Sequence, residues 1–307
     1  MISIAMTTYN GSKYLQKQLD SILNQSISDF ELIICDDNST DGTFEILKNY
    51  EESDSRIKIY RNENNLGFRK NFEKAISLSS GEYIALCDQD DIWIEDHLKI
   101  LAENLKHKTA SVGNAQIIDE NDFLIGDLLS ERDRYFVDGD DGWKLSRILL
   151  YGNPFQGTSS MYKKELFNYA LPIPEKVEYH DAWFSAVACC MNGLYYTFEP
   201  ITNYRIHSNN ASGNHKISFF KQIVNTLNRK GFPTDRLVFV QELKKRVPVL
   251  SEGIRQILTE TEEFYRNREN KRKFKVMTFL IKNYKRIYSV SNYKQLVPRC
   301  IAILLRG

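Results

Sequence analysis

Cysteine is scarce, five in 307 residues, an odd number with no paired short spacing. Cys35 and Cys87 lie inside apolar runs, and Cys189-Cys190 falls in a helical pattern. They read as buried free thiols, which points to a reducing compartment. There is no run of about 18 apolar residues, so no membrane-spanning helix is expected. The N-terminus opens at once on Ile2-Ser3-Ile4-Ala5-Met6, without a basic stretch ahead of an apolar one, so no signal peptide is expected and a cytoplasmic location is. Neither Gly-x-Gly-x-x-Gly nor Gly-x-x-x-x-Gly-Lys-Ser/Thr occurs, which disfavours a dinucleotide dehydrogenase or a P-loop enzyme. No groove-reading motif is present, and nucleic acid is not an expected partner.

What is present is ordinary in bulk and uneven in distribution. Hydrophobic residues make up 42% and charged residues 26%, the balance of a soluble globular protein with a full core. The length fits one large domain, or one domain with a smaller appendage. The net charge of +1 conceals a division. Residues 1–215 hold 20 Lys and Arg against 33 Asp and Glu, and residues 216–307 hold 21 against 7. An acidic domain over 1–215 and a basic helical region over 216–307 are therefore expected, the second suited to an anionic surface.

The first third alternates short apolar runs with amphipathic stretches of helical length. Strands are expected at Ile2–Met6, Phe30–Cys35, Ile57–Tyr60 and Tyr83–Leu86, and helices at Ser12–Asn24, Phe44–Tyr50 and Phe68–Ser79. This rhythm predicts an α/β fold with a mostly parallel sheet and helices on both faces. Ligands of such sheets bind beyond the carboxyl ends of the strands.

Those ends share a chemistry. The first strand runs into Thr7-Thr8-Tyr9-Asn10, the second into Asp36-Asp37-Asn38-Ser39, and the fourth into Asp88-Gln89-Asp90-Asp91. Carboxylates this close repel one another unless solvated or bound to a cation. The acidic stretch reads either as a cap for a helix beginning near Glu95 or as a hard-metal site. Asn10, and Ser39 or Asp41, also suit helix N-caps, but capping leaves the Asp36-Asp37 pair unexplained.

In their order and spacing, these segments together with Asn64-Asn65-Leu66-Gly67 resemble family 2 glycosyltransferases of the GT-A fold. The resemblance covers residues 1–95 most specifically and extends to about residue 210. It implies a nucleoside diphosphate sugar donor. Thr7, Tyr9 and Asn10 would line the nucleoside pocket, with Asp37 accepting from the pyrimidine N–H and Asp36 holding the loop. Asn65, Gly67 and Gln89 would belong to the same pocket. Arg69 would reach donor phosphate or base, its alternative being a solvated helix-start arginine. Asp88 would take the ribose and Asp90 a divalent Mn²⁺ or Mg²⁺, with Asp91 and Trp93 in support; hard cations of this kind are held by a few carboxylates plus substrate oxygens.

Further on, Gly157 resembles the family's glycine beside the donor sugar. Glu178-Tyr179-His180-Asp181-Ala182-Trp183 opens a helix and departs from the usual acid pair, as rhamnosyltransferase-like members also do. The resemblance makes Asp181 the catalytic base, against the alternative of a helix N-cap. His180 and Trp183 would orient it, contact acceptor or pack. Tyr204-Arg205-Ile206-His207 resembles the segment that closes over the donor, with His207 as a metal ligand or bound to a diphosphate oxygen. The irregular, charged stretch Glu131 to Asp141 reads as an acceptor lid.

Residues 216–307 read as helices at Ile217–Val224, Leu237–Leu250 and Gly253–Asn267, followed by a basic, aromatic segment. That region fits either a bundle packed on the first domain or peripheral contact with an anionic membrane. The expectation is an inverting transferase acting on a glycan or lipid-linked glycan at the inner face of the cell membrane, in bacterial surface polysaccharide synthesis. Its donor would be dTDP-rhamnose, with UDP-hexoses and UDP-N-acetylhexosamines open. A nucleotidyltransferase and a non-catalytic glycan-binding scaffold are the rivals.

Overall fold

A computed structural model describes residues 1–132, 139–150, 152–177, 179–207, 235–247 and 251–284. The expected helix at 217–224, residues 133–138 of the expected lid, Glu178 and Cys300 lie outside the described residues. The chain runs β1 (Ile2–Thr8), α1 (Leu15–Leu23), β2 (Phe30–Asp36), α2 (Thr43–Ser53), β3 (Ile57–Arg61), α3 (Phe68–Leu78) and β4 (Tyr83–Cys87). Then come β5 (Ile92–Trp93), α4 (His97–Asn104), β6 (Ala110–Ile118), β7 (Leu124–Leu128), the short α5 (Leu129–Arg132) and α6 (Asp141–Leu150). β8 (Ser160–Lys163), α7 (Phe167–Ala170), α8 (His180–Cys190) and β9 (Leu194–Arg205) complete the sheet and its cover. Three further helices follow, α9 (Asp235–Arg246), α10 (Glu252–Glu269) and α11 (Lys273–Lys282).

Among the described residues nine strands make one sheet, in the order β3-β2-β1-β4-β8-β6-β9-β5, with β7 beside β6. The parallel order holds across β3-β2-β1-β4. Beyond β4 the sheet becomes mixed, because β8 enters antiparallel to both β4 and β6, while β9 returns parallel to β6. Register aligns the carboxyl ends: Thr8 stands beside Asp36, Asp36 beside Arg61, and Met6 beside Cys87. The polar residues that follow each strand therefore emerge at one edge.

Alternation along the strands divides the core in two, since successive side chains point to opposite faces. Ile4, Met6, Leu32, Ile34, Ala85 and Cys87 face α1, α2 and α4. Ala5, Cys35, Ile84 and Leu86 face the side of α3, α6 and α8. The four described cysteines are free and buried. α8 is apolar on nearly every side and buried throughout apart from Asp181, as a central helix must be.

The late helices belong to that second core. Leu237, Val240, Leu243, Ile257, Leu258 and Phe264 join the cluster built on α6 and α8. Phe239 packs edge-on against Trp183 with ring centroids 5.2 Å apart. The Tyr265 hydroxyl donates to the Leu149 carbonyl at 2.5 Å, and the Arg236 guanidinium to that of Ile148 at 2.7 Å. α6 and α8 would otherwise expose large apolar faces. Leu258→Ala, at a fully buried position, is expected to cost about 2–5 kcal/mol. In urea melts it should shift one transition followed alike by far-UV signal and tryptophan fluorescence. A separate early transition in which the sheet survives would show that the helices fold apart from it.

Candidate active site

At the parallel end of the edge, two buried aspartates bind the loops together. The Asp36 carboxylate accepts from the Thr8 hydroxyl at 2.9 Å, from Ser39 N–H at 3.0 Å and from the Ser39 hydroxyl at 2.5 Å. Asp37 accepts from Leu66 N–H at 2.7 Å, Gly67 N–H at 2.9 Å and the Asn62 amide at 2.8 Å. The turn over residues 64–67 is thus folded onto Asp37. Gly67 takes φ +80° there, a conformation costly for any residue with a Cβ, and the Asn65 side chain also accepts from Gly67 N–H. A carboxylate offers about four lone-pair sites, so Asp37 keeps capacity for one more donor.

Between these strands Thr7 is buried and Tyr9 is 49% exposed. The Gln89 amide clamps the Tyr9 backbone: Tyr9 N–H donates to Oε1 at 2.8 Å, and Nε2 donates to the Tyr9 carbonyl at 3.0 Å. Two sequence readings need correction here. Asn10 does not cap α1, which starts at Leu15 with no side-chain cap. It takes φ +49° and ties the first loop to the second, its amide oxygen accepting from Thr40 N–H. Arg69 does not turn to the donor side. Its guanidinium donates to the carbonyls of Glu175, at 2.7 Å, and Val177, pinning that loop over the start of α3.

The acidic stretch is not a helix cap, since α4 begins at His97 behind Asp96. It enters the two-residue β5, which pairs with β9, and Arg205 at the end of β9 grips it. The Arg205 guanidinium is fully buried. Its Nε–H donates to the Asp90 carbonyl at 2.7 Å, and Nη1 donates to the Asp119 carbonyl at 3.0 Å and to the Asp122 carboxylate. Arg205 N–H donates to Asp91 Oδ1 at 2.9 Å. Tyr14 lies beneath, its ring 4.6 Å from the guanidinium carbon and 4.9 Å from the His207 ring.

Two residues further, His207 Nε2 stands 2.9 Å from Asp90 Oδ2. Among the described residues no three His, Cys, Asp or Glu side chains converge as a closed metal cage. An Asp–His pair nonetheless fits a divalent cation that draws its other ligands from diphosphate oxygens and water. The neighbouring carboxylates respond to their crowding. Burial, then the charges of Asp90 and Asp181, push Asp88 up to about 7. Burial, Asp90 and Asp88 raise Asp91 well above the carboxylate range, against the opposing Arg205 N–H.

Asp181 lies across from this cluster, near enough to raise Asp88. It sits inside the first turn of α8, whose N-cap residue is Tyr179, so the cap reading is not met. Burial lifts it to about 6, opposed by Ala182 N–H and the Asn153 amide. Gly157 packs directly against it: a Cβ there would lie 3.3 Å from His180 Nε2 and 3.5 Å from the Asp181 Cβ.

Three aromatic or imidazole candidates are scaffold rather than acceptor contacts. His180 is 8% exposed, held between Phe72 at 4.2 Å and Phe184 at 5.9 Å, and neither ring nitrogen has a hydrogen-bond partner. It therefore does not orient Asp181 through a hydrogen bond, and burial pushes its pKa down to about 3. Trp183 is fully buried and donates to the Ala170 carbonyl. Trp93 donates to the Thr158 carbonyl and stacks on His97 at 3.9 Å. Conversely, Asn153, Thr158, Tyr14 and Asp122 gain roles at the site that the sequence reading did not give them. The Asn-Pro segment around Asn153 carried a local signal. The Asp122–Arg205 pair, 83 residues apart, carried none.

A sheet that gathers amides and acids at its carboxyl edge, with helices on both faces, is the layout of the GT-A glycosyltransferases. Glycosyl transferase family 2 matches residues 3–169, more than half of the chain, and the chain belongs to that family. It is 30% identical over 231 residues to an uncharacterized glycosyltransferase of Haemophilus influenzae, covering 69% of this chain and 67% of that one. It is 32% identical over 219 residues to the O-antigen biosynthesis glycosyltransferase WbnJ of Escherichia coli, covering 68% and 80%. Similarity to the UDP-Glc:alpha-D-GlcNAc-diphosphoundecaprenol beta-1,3-glucosyltransferase WfgD of Escherichia coli is 37% over 127 residues, 40% of this chain and 49% of that one. The match to GlyG of Streptococcus pneumoniae likewise spans 58% of its length. Among solved structures, TarS of S. aureus in complex with UDP shares the fold at a TM-score of 0.58 and 16% identity, over 99% of this chain and 80% of that one. The mannosyltransferase PcManGT of Pyrobaculum calidifontis, in complex with GDP-Man and Mn²⁺, does so at 0.57 and 15%, over 99% and 86%.

Because Arg205 sets the backbone on which Asp90 stands, Arg205→Lys should weaken Mn²⁺ binding in the presence of UDP about 10–100-fold, the usual effect of losing a group that supports a ligand. Titration calorimetry measures it, and wild-type affinity would remove Arg205 from the account. Asp181, raised in the fold, binds its proton more tightly folded than unfolded. Its stabilising contribution is complete below the ordinary carboxylate pKa and is lost as pH rises through about 6. Asp181→Asn is therefore expected to raise the melting temperature of the ligand-free protein at about pH 8 and leave it nearly unchanged at about pH 4. An equal shift at both would contradict the burial of that charge.

Proposed function

We propose that the chain transfers a sugar, with inversion, from a nucleoside diphosphate sugar to a hydroxyl of a lipid-linked glycan during surface polysaccharide synthesis. The observation that carries this is the placement of Asp181 in the first turn of α8, beside Gly157 and close enough to Asp88 for its charge to raise that carboxyl. The acceptor oxygen attacks the anomeric carbon, its proton passes to Asp181, and the bond to the diphosphate breaks with the electron pair leaving on the diphosphate. Asp37, Tyr9 and the Gln89-clamped loop hold the nucleoside, and Asp88 takes the ribose. Mn²⁺ or Mg²⁺ held by Asp90 and His207 would offset the charge that develops on the departing diphosphate.

The donor proposed is dTDP-rhamnose, on the resemblance of Asp-Gln-Asp-Asp-Ile-Trp, His-Asp-Ala-Trp and Tyr-Arg-x-His to rhamnosyltransferase-like members. UDP-glucose is the second reading, favoured by the similarity to a relative named for UDP-Glc and a diphosphoundecaprenol acceptor. A melting screen of nucleotide sugars with Mn²⁺ separates them, because a ligand that binds the folded state raises its stability.

Asp181→Asn should reduce turnover by at least about a hundredfold while donor binding stays near wild type. Unchanged turnover would sink the base assignment. In the wild-type enzyme kcat/KM should fall as pH drops through about 6, where Asp181 takes up its proton. Asp90→Ala should lose metal-dependent transfer, and full activity in that variant would overturn the scheme.

A further inference from the structure

α11 carries apolar side chains on two opposite sides. Val276 and Leu280 point inward and are buried, and Phe279 packs on Phe264 of α10 with centroids 4.7 Å apart. On the outer side, at spacings of four and three, stand Phe274, Thr278 and Ile281, all exposed. Phe274 is 81% exposed and Ile281 53%. An exposed apolar stripe rimmed by polar residues marks an interaction surface. The rim here is cationic. Lys275 and Lys282 flank the stripe along one edge, and Lys271 and Arg272 stand at the start of the helix, all four exposed and in no ion pair among the described residues. Glu269, at the end of α10, is the exposed acid nearest in sequence.

We propose that this outer face of α11 is a docking surface for an anionic lipid bilayer. A phenylalanine and an isoleucine between long cationic side chains suit the headgroup boundary, where the apolar side chains enter the acyl region and the cationic groups reach lipid phosphates. Charge complementarity selects the partner: a stripe of two apolar residues is narrow for a protein interface, whereas four free cations beside it add attraction to every anionic headgroup in reach. The structure also narrows the place. α9 and α10 direct their apolar faces into the core shared with α6 and α8, so the basic character of residues 216–307 meets exposed apolar surface at α11 among the described residues. This inference stands apart from the proposed acceptor, since the vesicles that test it contain none.

The experiment is flotation of the purified full chain with phosphatidylglycerol-containing vesicles and with phosphatidylcholine vesicles, at low and high salt. Wild type should float with the anionic vesicles, be released by salt and not float with phosphatidylcholine alone. Phe274→Ser with Ile281→Ser should abolish flotation. Lys275→Glu and Lys282→Glu should each lower partitioning about fivefold or more. Both positions of the apolar pair are exposed, and unchanged melting temperatures confirm that the variants fold. Wild-type flotation in the variants, or its absence in wild type, overturns the proposal. So does sedimentation showing a wild-type dimer that the apolar variant dissociates, because the occupant would then be a second copy of the chain.

Discussion

The acidic edge of the sheet depends on the buried guanidinium of Arg205. Asp88, Asp90 and Asp91 crowd one short segment, and Asp119 and Asp122 lie on the hairpin beside it. Left to themselves these charges would drive the two segments apart. Arg205 joins them through the Asp90 and Asp119 carbonyls and the Asp122 carboxylate, while its own N–H donates to Asp91 Oδ1. A planar, permanently charged fork suits this task, because it donates in several directions without shifting its charge. Burying it is costly without partners, and besides its hydrogen bonds the Tyr14 ring lies beneath it. Since Arg205 and His207 are two residues apart, the same β9 end that neutralises the edge also brings imidazole to Asp90.

The two halves of the sheet divide the work. In the parallel half, strand register places Thr8, Asp36 and the residues after Cys87 side by side, and the loops are fastened by carboxylates that accept backbone N–H groups. In the mixed half, antiparallel β8 brings Gly157 and α8 to face that edge. Burial then lifts Asp181 to about 6, and burial with the charges of Asp90 and Asp181 lifts Asp88 to about 7. Gly157 lies close against His180 and Asp181, since a Cβ there would come within 3.3 Å of His180 Nε2 and 3.5 Å of the Asp181 Cβ. His180 supplies shape rather than hydrogen bonds, and its neutral ring packs among phenylalanines.

The late helices complete the half of the core that the sheet cannot cover alone. α8 is apolar almost all round, so its outer side needs Phe239 and its neighbours. α11 then rests on α10 with its inner face buried and its outer face apolar, and local amphipathicity would not separate the two.

The sequence alone determined the strand–helix alternation of the first third, the polar chemistry at each strand end and the order of motifs that identifies the family. These are written in periods of two and in contiguous segments, which a linear reading can follow. Only the tertiary structure decided the rest. It turned Arg69 toward the loop after Pro174, made Trp93, His180 and Trp183 parts of the scaffold, and paired Arg205 with Asp122. Whether a side chain lines the cleft or packs behind it depends on partners far along the chain, and a short motif holds no record of them. For Asp88-Gln89-Asp90-Asp91 the choice between a helix cap and a cation site was made by β9, which delivers an arginine and a histidine from more than a hundred residues away.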